Sequence, residues 1–386
     1  MPYDSIGAYT NVAGATTAVA GNVVQSATWD NIHTDIGTAL TEVMQQLVSF
    51  ISLRNALFMN GGMEVWQRGA GASASIAVGA STVAYTADRW YLATGANQAS
   101  TVAATTGLSN GSQLAAVLGR NAGQTGVGAV VFAYPLDTDE IIRLRGNKVS
   151  FTALVKAGAT WSPASGTLTC NLYVGTGAVG KRNATPYTGE TTVLAIATNL
   201  TAGGATTTIS GASSVVVPTN STQAELQFVF TPVGTAGATD NITIDDVQLE
   251  AQLSASAWTP TNFDRIPFSL QFEACQRHYN KSFPYSIAPA QSAGTPNAVQ
   301  LIAQVANTSV ATNYPFPVRV RATAGVTTYN PSAANANWRN ITSGADVTAA
   351  VDPNTTLNDA SVVISGVSVS AAGQYLGIHI TASAGI

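Results

Sequence analysis

Apolar residues fall at every second position in run after run of this sequence. "KVSFTALVKA" puts Val149, Phe151, Ala153 and Val155 on one face, "TLTCNLYVG" does the same with Leu168, Cys170, Leu172 and Val174, and "AELQFVFTPV" with Leu226, Phe228 and Phe230. A period of two is the repeat of a half-buried strand, and the Gly- and Ser-rich stretches between the runs are turns. No helical segment stands between these strands to make parallel crossovers, which leaves antiparallel sheets packed face to face. The expectation is a mainly β chain with a jelly-roll β-sandwich over residues 57–263.

One strand slips its phase. In "NITIDDVQLE" the apolar positions run through Ile242 and Ile244, then resume one place out of step at Val247 and Leu249, with Asp245 and Asp246 at the break. A β-bulge accounts for the slip. Adjacent carboxylates at a bulge can cap a turn, pair with an arginine or bind a hard cation, and pairing with Arg68 or Arg89 is the first choice here. The same question attaches to "NGGMEVWQRG" and "YTADRWY", where Glu64, Arg68, Asp88 and Arg89 flank Trp66 and Trp90. They read as ties between the first strands and the last strand of the sandwich. Trp66, Trp90 and Trp258 are assigned to its interior.

The pattern changes on either side of the sandwich. Residues 1–28 have no clear period and read as an extended arm. In "WDNIHTDIGTALTEVMQQLVSF", Trp29, Ile32, Ile36, Leu40, Val43, Leu47 and Phe50 recur at three and four residues, which is a helix with one apolar seam. Its spacing from Ile36 onward suits a short coiled coil, which would make the protein oligomeric; an amphipathic helix packed on its own domain fits as well. Residues 264–283 carry Leu270, Phe272, Cys275 and Tyr279 at roughly helical spacing behind Pro267, and read as a linker helix. Alternation returns in residues 284–386, a smaller C-terminal β-sandwich.

Composition narrows the partners. Only 9% of the 386 residues are Asp, Glu, Lys or Arg, against a usual share of about 25%. Small neutral polar groups take their place. With a net charge of -4 and no basic cluster, the chain has little to neutralise phosphates, so nucleic acid is a poor partner. No run of apolar residues is long enough to insert in a membrane, and the first residues lack a basic start with an apolar run behind it. Cys170 and Cys275 give neither a disulfide framework nor a zinc spacing.

Taken together, "NGGMEVWQRG", "YTADRWY", "NITIDDVQLE", "SAWTPTNFDRIPFSLQFEACQRHYNKS" and "YPFPVRVRATAGVTTYNP" resemble the tail-fibre and virion-surface proteins of tailed bacteriophages, whose central part is similar to carbohydrate-binding-module jelly rolls. The resemblance covers roughly residues 57–330, and more loosely residues 1–56. It implies a homotrimeric virion component, trimerised through Ile36, Leu40, Val43, Leu47 and Phe50, docked to other virion proteins by residues 1–56 and meeting host surface polysaccharide with its β-domains. Assembly in the host cytoplasm and release by lysis follow from the same likeness. In similar jelly rolls a structural calcium is often held near the domain start and in the last strand, which falls here on Glu64 and Asp245 or Asp246; no other cofactor is expected.

Function then turns on two kinds of residue. Sugars stack their C–H faces on exposed rings while neutral amides and hydroxyls supply hydrogen bonds. Trp161 in "GATWSPASG" and Trp338 in "NANWRN" lie in turn-like sequence and are the candidate glycan contacts, with burial under a loop as the bland alternative. Hydrolysis would need two carboxylates facing across a sugar, from Glu64, Asp88, Asp137, Asp139, Glu140, Asp245, Asp246 and Glu250. A structural role suits them better. His33, His278 and His379 form no metal or hydrolase spacing, and neither "SGASS" nor "GTGAVGK" follows a nucleophile or phosphate-loop pattern. The chain is expected to have no catalytic residue, and a head, neck or tail protein that binds only other virion proteins is the alternative.

Overall fold

The alternating runs become strands whose apolar faces meet. The computed structural model describes residues 34–37, 59–183, 185–252, 261–351, 358–366, 369 and 371–385. Contacts divide the chain into two units, Met1–Arg54 and Asn55–Ile386. In the first, residues 34–37 are helical and Ile36 is exposed. The arm, the rest of the helical seam with Leu40, Val43, Leu47 and Phe50, and Trp258 lie outside the described residues.

The second unit opens with a sandwich of two six-stranded antiparallel sheets. One runs β1 (Ser75–Val78), β4 (Ser100–Thr106), β5 (Leu114–Arg120), β12 (Asn241–Gln252), β7 (Lys148–Ala157), β10 (Thr207–Ala212). The other runs β2 (Val83–Tyr85), β3 (Tyr91–Ala93), β6 (Val130–Leu136), β11 (Gln223–Phe230), β8 (Thr167–Gly175), β9 (Thr191–Asn199). Phe151 from one sheet meets Phe228 from the other at 6.0 Å between ring centres, and Trp90 stacks on Phe132 at 4.8 Å. All four rings are buried, and each large apolar side chain removed from water contributes about 1.5–3 kcal/mol.

The bulge lies where the phase slip put it. Asp245 pairs with Leu154 and Gln248 with Thr152, so Asp246 and Val247 together oppose one residue of β7. The extra residue restores the inward face: Ile244 sits opposite Val155 before the bulge and Leu249 opposite Phe151 after it. Asp246 takes a φ of 47°, left-handed backbone that a residue other than glycine holds only when its surroundings fix it.

Two short helices, α1 (Thr138–Ile142) and α2 (Phe268–Gln276), lie beside this sandwich. The start of α2 behind Pro267 agrees with the sequence, but its buried side chains are Gln271 and Cys275, and Leu270 is exposed. Tyr279 is not helical at all. It opens β13 (Tyr279–Lys281), which pairs with β21 (Tyr375–Ser383), so the C-terminal sheet begins inside the segment read as a linker. Strands β14 (Val299–Ile302), β16 (Gly325–Tyr329) and β17 (Trp338–Asn340) also pair with β21, and β18 (Asp346–Val347) pairs with β17. A three-stranded sheet of β15 (Val310–Pro315), β20 (Ser361–Gly366) and β19 (Ala349–Val351) faces them over a second core that holds Trp338, Val362, Ile364, Leu376 and Ile378. Residues 316–324, which alternate in sequence, are not strand; Pro315 and Pro317 cannot donate to a ladder.

Candidate functional site

The charged residues beside Trp66 and Trp90 do two separate jobs. Asn60 bonds Val65 O and Asp88 O through Nδ2, both at 2.9 Å, and so clips the two loops together. Asp88 Oδ2 accepts from Gln67 N at 2.5 Å, and Arg68 Nη1 lies 3.3 Å from its other oxygen. Burial pushes this carboxyl up to about 6 against the pull of Arg68. The Arg68 guanidinium continues outward over the rings of Tyr279, at 4.1 Å, and Tyr85, at 4.6 Å.

Arg89 points the other way, into a buried network. Its Nη2 donates to Glu140 Oε2 at 2.9 Å and to Pro135 O at 2.7 Å, and its Nη1 stands 3.1 Å from His278 Nδ1. Glu140 also accepts from Tyr134 Oη at 2.5 Å and from Asp137 N at 2.6 Å, which makes it the second half of a capping box at the start of α1. Asp137, the other half, takes Arg321 Nε of the C-terminal domain at 3.1 Å. The network therefore joins the sandwich to the segment after α2 and to the C-terminal domain, where a tie to the last sandwich strand was expected. The spacing Asp137-x-x-Glu140 signals the cap in sequence; the Arg89 contact has no local signal.

Glu64, Asp245 and Asp246 do gather at the bulge, but their cation is Arg265. Its Nη2 bonds both Asp246 oxygens at 2.8 Å and its Nη1 lies 3.8 Å from Glu64 Oε1. This corrects the pairing with Arg68 or Arg89, both of which are engaged elsewhere. Asp245 accepts from Leu108 N at 2.7 Å, Ser112 Oγ at 3.1 Å and the amide of Asp246 at 2.7 Å, and burial together with the Asp246 charge pushes its carboxyl up to about 6. Calcium seeks six to eight oxygen ligands, roughly 2.3–2.6 Å away. Here N–H and O–H donors fill the carboxylate lone pairs, and a guanidinium occupies the place of the ion. The donor set does not fit calcium. Among the described residues no three His, Cys, Asp or Glu side chains form a metal-holding group.

Neither proposed glycan contact offers a ring to solvent. Trp161 is 6% exposed, its ring 4.8 Å from Phe230 and its Nε1 bonded to Gly166 O at 3.1 Å. Trp338 is 0% exposed, with Nε1 bonded to Ser365 O at 3.0 Å. The turn-like flanks misled, because each ring folds back over the edge of a core and satisfies its N–H on a neighbouring carbonyl. These two residues serve packing.

Among the described residues, the aromatic side chains that stand exposed are Tyr375 and Phe268. Tyr375, 49% exposed, begins β21 opposite Ile302 of β14, and Ile341 N bonds Tyr375 O at 2.7 Å from the other side. Both isoleucines are exposed too. A Cβ placed on Gly377 would come within 3.0 Å of Ile341 Cδ1, so the glycine lets that side chain lie close over the strand. Hydrogen-bonding groups border this strip: Thr342 Oγ1 accepts from Tyr375 N at 3.0 Å, and Asn340 Nδ2 donates to Gln374 Oε1 at 2.9 Å. A shallow groove of about 260 Å³ on the outer face of the first sheet is lined by Thr101, Val117, Arg120 and Asn241, but Asp240 already binds the Arg120 guanidinium at 2.7 Å.

No family model matches the chain, and no curated protein does. Solved structures to which it is similar include the enzymatically active domain of tailspike protein 4 of bacteriophage CBA120, at 14% identity over 51% of this chain and 21% of that one, with a TM-score of 0.30. The CBM22-1 xylan-binding domain of Paenibacillus barcinonensis Xyn10C matches at 14% identity over 48% of this chain and 98% of its own, with a TM-score of 0.28. A cyclase from Fischerella sp. TAU matches at 12% identity over 51% and 96%, with a TM-score of 0.30. Overlaps this loose assign no role to any residue here.

Proposed function

We propose that this chain is a binding protein whose C-terminal β-domain receives a surface glycan on the strip of Ile302, Tyr375 and Ile341. The observation that carries the reading is the exposed Tyr375 ring, set between two aliphatic side chains and bordered by amides and a hydroxyl. A sugar has the matching faces, C–H on one side and hydroxyls at the rim. The sequence resemblance supports placing the protein on a phage particle as a fibre, a homotrimer held through the helical seam and attached by residues 1–56, without nucleic acid or membrane insertion. A binding role suits the carboxylates better than hydrolysis does: Asp88, Asp137, Glu140 and Asp246 are each paired with an arginine, and Glu250 is bonded to Thr261.

The test is binding of the full chain to immobilised bacterial surface polysaccharides and intact cells, beside Tyr375→Ala. Saturable binding that weakens about tenfold or more in the variant, with an unchanged circular dichroism spectrum, is the expected result. Unchanged binding by Tyr375→Ala sinks the site, and release of reducing ends sinks the non-enzymatic reading. Sedimentation of the same material as three copies checks the trimer.

A second reading, a virion component that binds only other virion proteins, draws on the exposed Phe268 and Leu270 of α2. Phe268 stacks on Phe272 at 5.7 Å and meets Tyr285 edge-on at 5.7 Å, an apolar surface of the sort protein interfaces cover. No cell or polysaccharide binding by folded trimer would favour it.

A further inference from the structure

The connection from β8 to β9 crosses the second sheet from β8 toward β2 and is fastened at several points. Arg182 pairs with Glu190 through Nε at 2.7 Å and Nη2 at 2.9 Å, and its guanidinium lies 3.8 Å from the Tyr173 ring. The amide of Arg182 donates to Glu225 Oε2 at 2.8 Å and that of Asn183 to Tyr91 Oη at 3.0 Å. Lys181, between these anchors and the sandwich, has neither an ion pair nor a hydrogen bond among the described residues. Its Nζ stands 4.3 Å from the Tyr85 ring. The Arg68 guanidinium is 4.6 Å from that same ring, and its one hydrogen bond among the described residues is Nη1 to Asp88.

Two cations thus share one tyrosine beside Tyr279 of the C-terminal sheet, on a chain that is sparing with charge. The arrangement has a cost. Burial and then the Arg68 charge hold the Lys181 ammonium below its ordinary range, with only partial relief from Glu225. Glu225 itself is out of solvent, bonded to Tyr91 Oη at 2.7 Å and Gln227 Nε2 at 2.6 Å, and cannot reach out to a ligand. The unused donors are the three N–H of the ammonium and most of the five of the guanidinium.

We propose that Lys181 and Arg68, with Tyr85 between them, form an anion site where the sandwich meets the C-terminal sheet, and that its ligand is the carboxylate of an acidic sugar. The charge balance selects the class. A polyphosphate chain calls for a run of cations, whereas two cations beside the rings of Tyr85 and Tyr279 suit a polyol with single, spaced negative charges, its C–H faces against the rings. An anion here removes the like-charge cost and draws on donors already held in place by the fastened loop. The proposal rests on the glycan-binding reading but on residues apart from Tyr375.

Calorimetric titration of the full chain with an oligogalacturonate, its methyl ester and inorganic sulfate tests it, with Lys181→Gln and Tyr375→Ala in parallel. The acidic oligomer is expected to bind about tenfold more weakly to Lys181→Gln, to keep its affinity for Tyr375→Ala and to weaken in ~0.5 M salt. Equal binding of the methyl ester, no binding of the acid, or an affinity indifferent to Lys181→Gln overturns the proposal. Sulfate bound as tightly as the oligomer in a Lys181-dependent way leaves an anion site and overturns its assignment to a sugar. Polysaccharide binding left unchanged by Tyr375→Ala, with the acidic oligomer still bound in a Lys181-dependent way, refutes the C-terminal strip and not this site.

Discussion

Arg89 and Glu140 meet at 2.9 Å with both side chains out of solvent, one on the turn before β3 and the other in the first turn of α1. Arg89 holds a φ of 73° there, and its polar partners fix it in that conformation. Removing one member strands the other charge in the interior. Arg89→Ala is expected to cost about 3–5 kcal/mol in urea unfolding, and Arg89→Met combined with Glu140→Gln distinctly less than the sum of the two single changes.

His278 and Asp88 oppose each other in acid. Burial and the surrounding Arg89, Arg321, Arg277 and Arg68 hold the imidazole far below its usual 6.5, so below that pH the unfolded chain takes a proton the fold refuses and stability falls. Asp88 sits near 6 in the fold against 3.8, so between those values the fold takes the proton more readily and acid favours it. The stability of the wild type relative to His278→Gln should therefore decline as pH drops below 6.5, by up to ~1.4 kcal/mol per pH unit, and relative to Asp88→Asn should rise below 6. Denaturant midpoints from pH 7 to pH 5 check both signs.

Arg265 stands in for a metal at the bulge. Calcium or EDTA should leave the melting temperature of the wild type unchanged. In Arg265→Ala the carboxylates of Glu64, Asp245 and Asp246 lose their cation, and calcium is expected to raise the melting temperature of that variant alone. Differential scanning calorimetry with and without calcium decides it.

Trp338 fills the second core and Trp161 caps the first. Alanine at either position should cost stability, about 3–5 kcal/mol at the fully buried Trp338 and less at Trp161. Any loss of glycan binding in these variants should follow the unfolded fraction measured by thermal melts, and should vanish at temperatures where the variant is folded.

What could be read from the sequence was what local chemistry decides. The strands at 149–155, 168–174 and 226–230 were legible because one face of each is buried throughout, and the bulge because a single extra residue reverses the apolar phase. The cation for Asp246 was not, since an arginine nineteen positions later reaches it only after the chain has turned back. Trp161 and Trp338 carried turn-like flanks, and only the fold shows which core lies under a turn. Tyr375 had a signal that went unused: in "YLGIHITAS" it falls out of phase with buried Leu376, Ile378 and Ile380.

Strand β21 gives four others, β13, β14, β16 and β17, their partner, and it follows all of them in chain order. On the ribosome the sandwich has its last strand once Gln252 has emerged, but the C-terminal sheet then waits for more than a hundred further residues. Until they arrive, its earlier strands are unpaired edges of the sort that stick to other chains. A translation product that stops before Tyr375 would carry a finished first half and an adhesive second half. Such fragments should be cleared or aggregate, so the strand that bears the exposed tyrosine also gates which copies survive to be assembled.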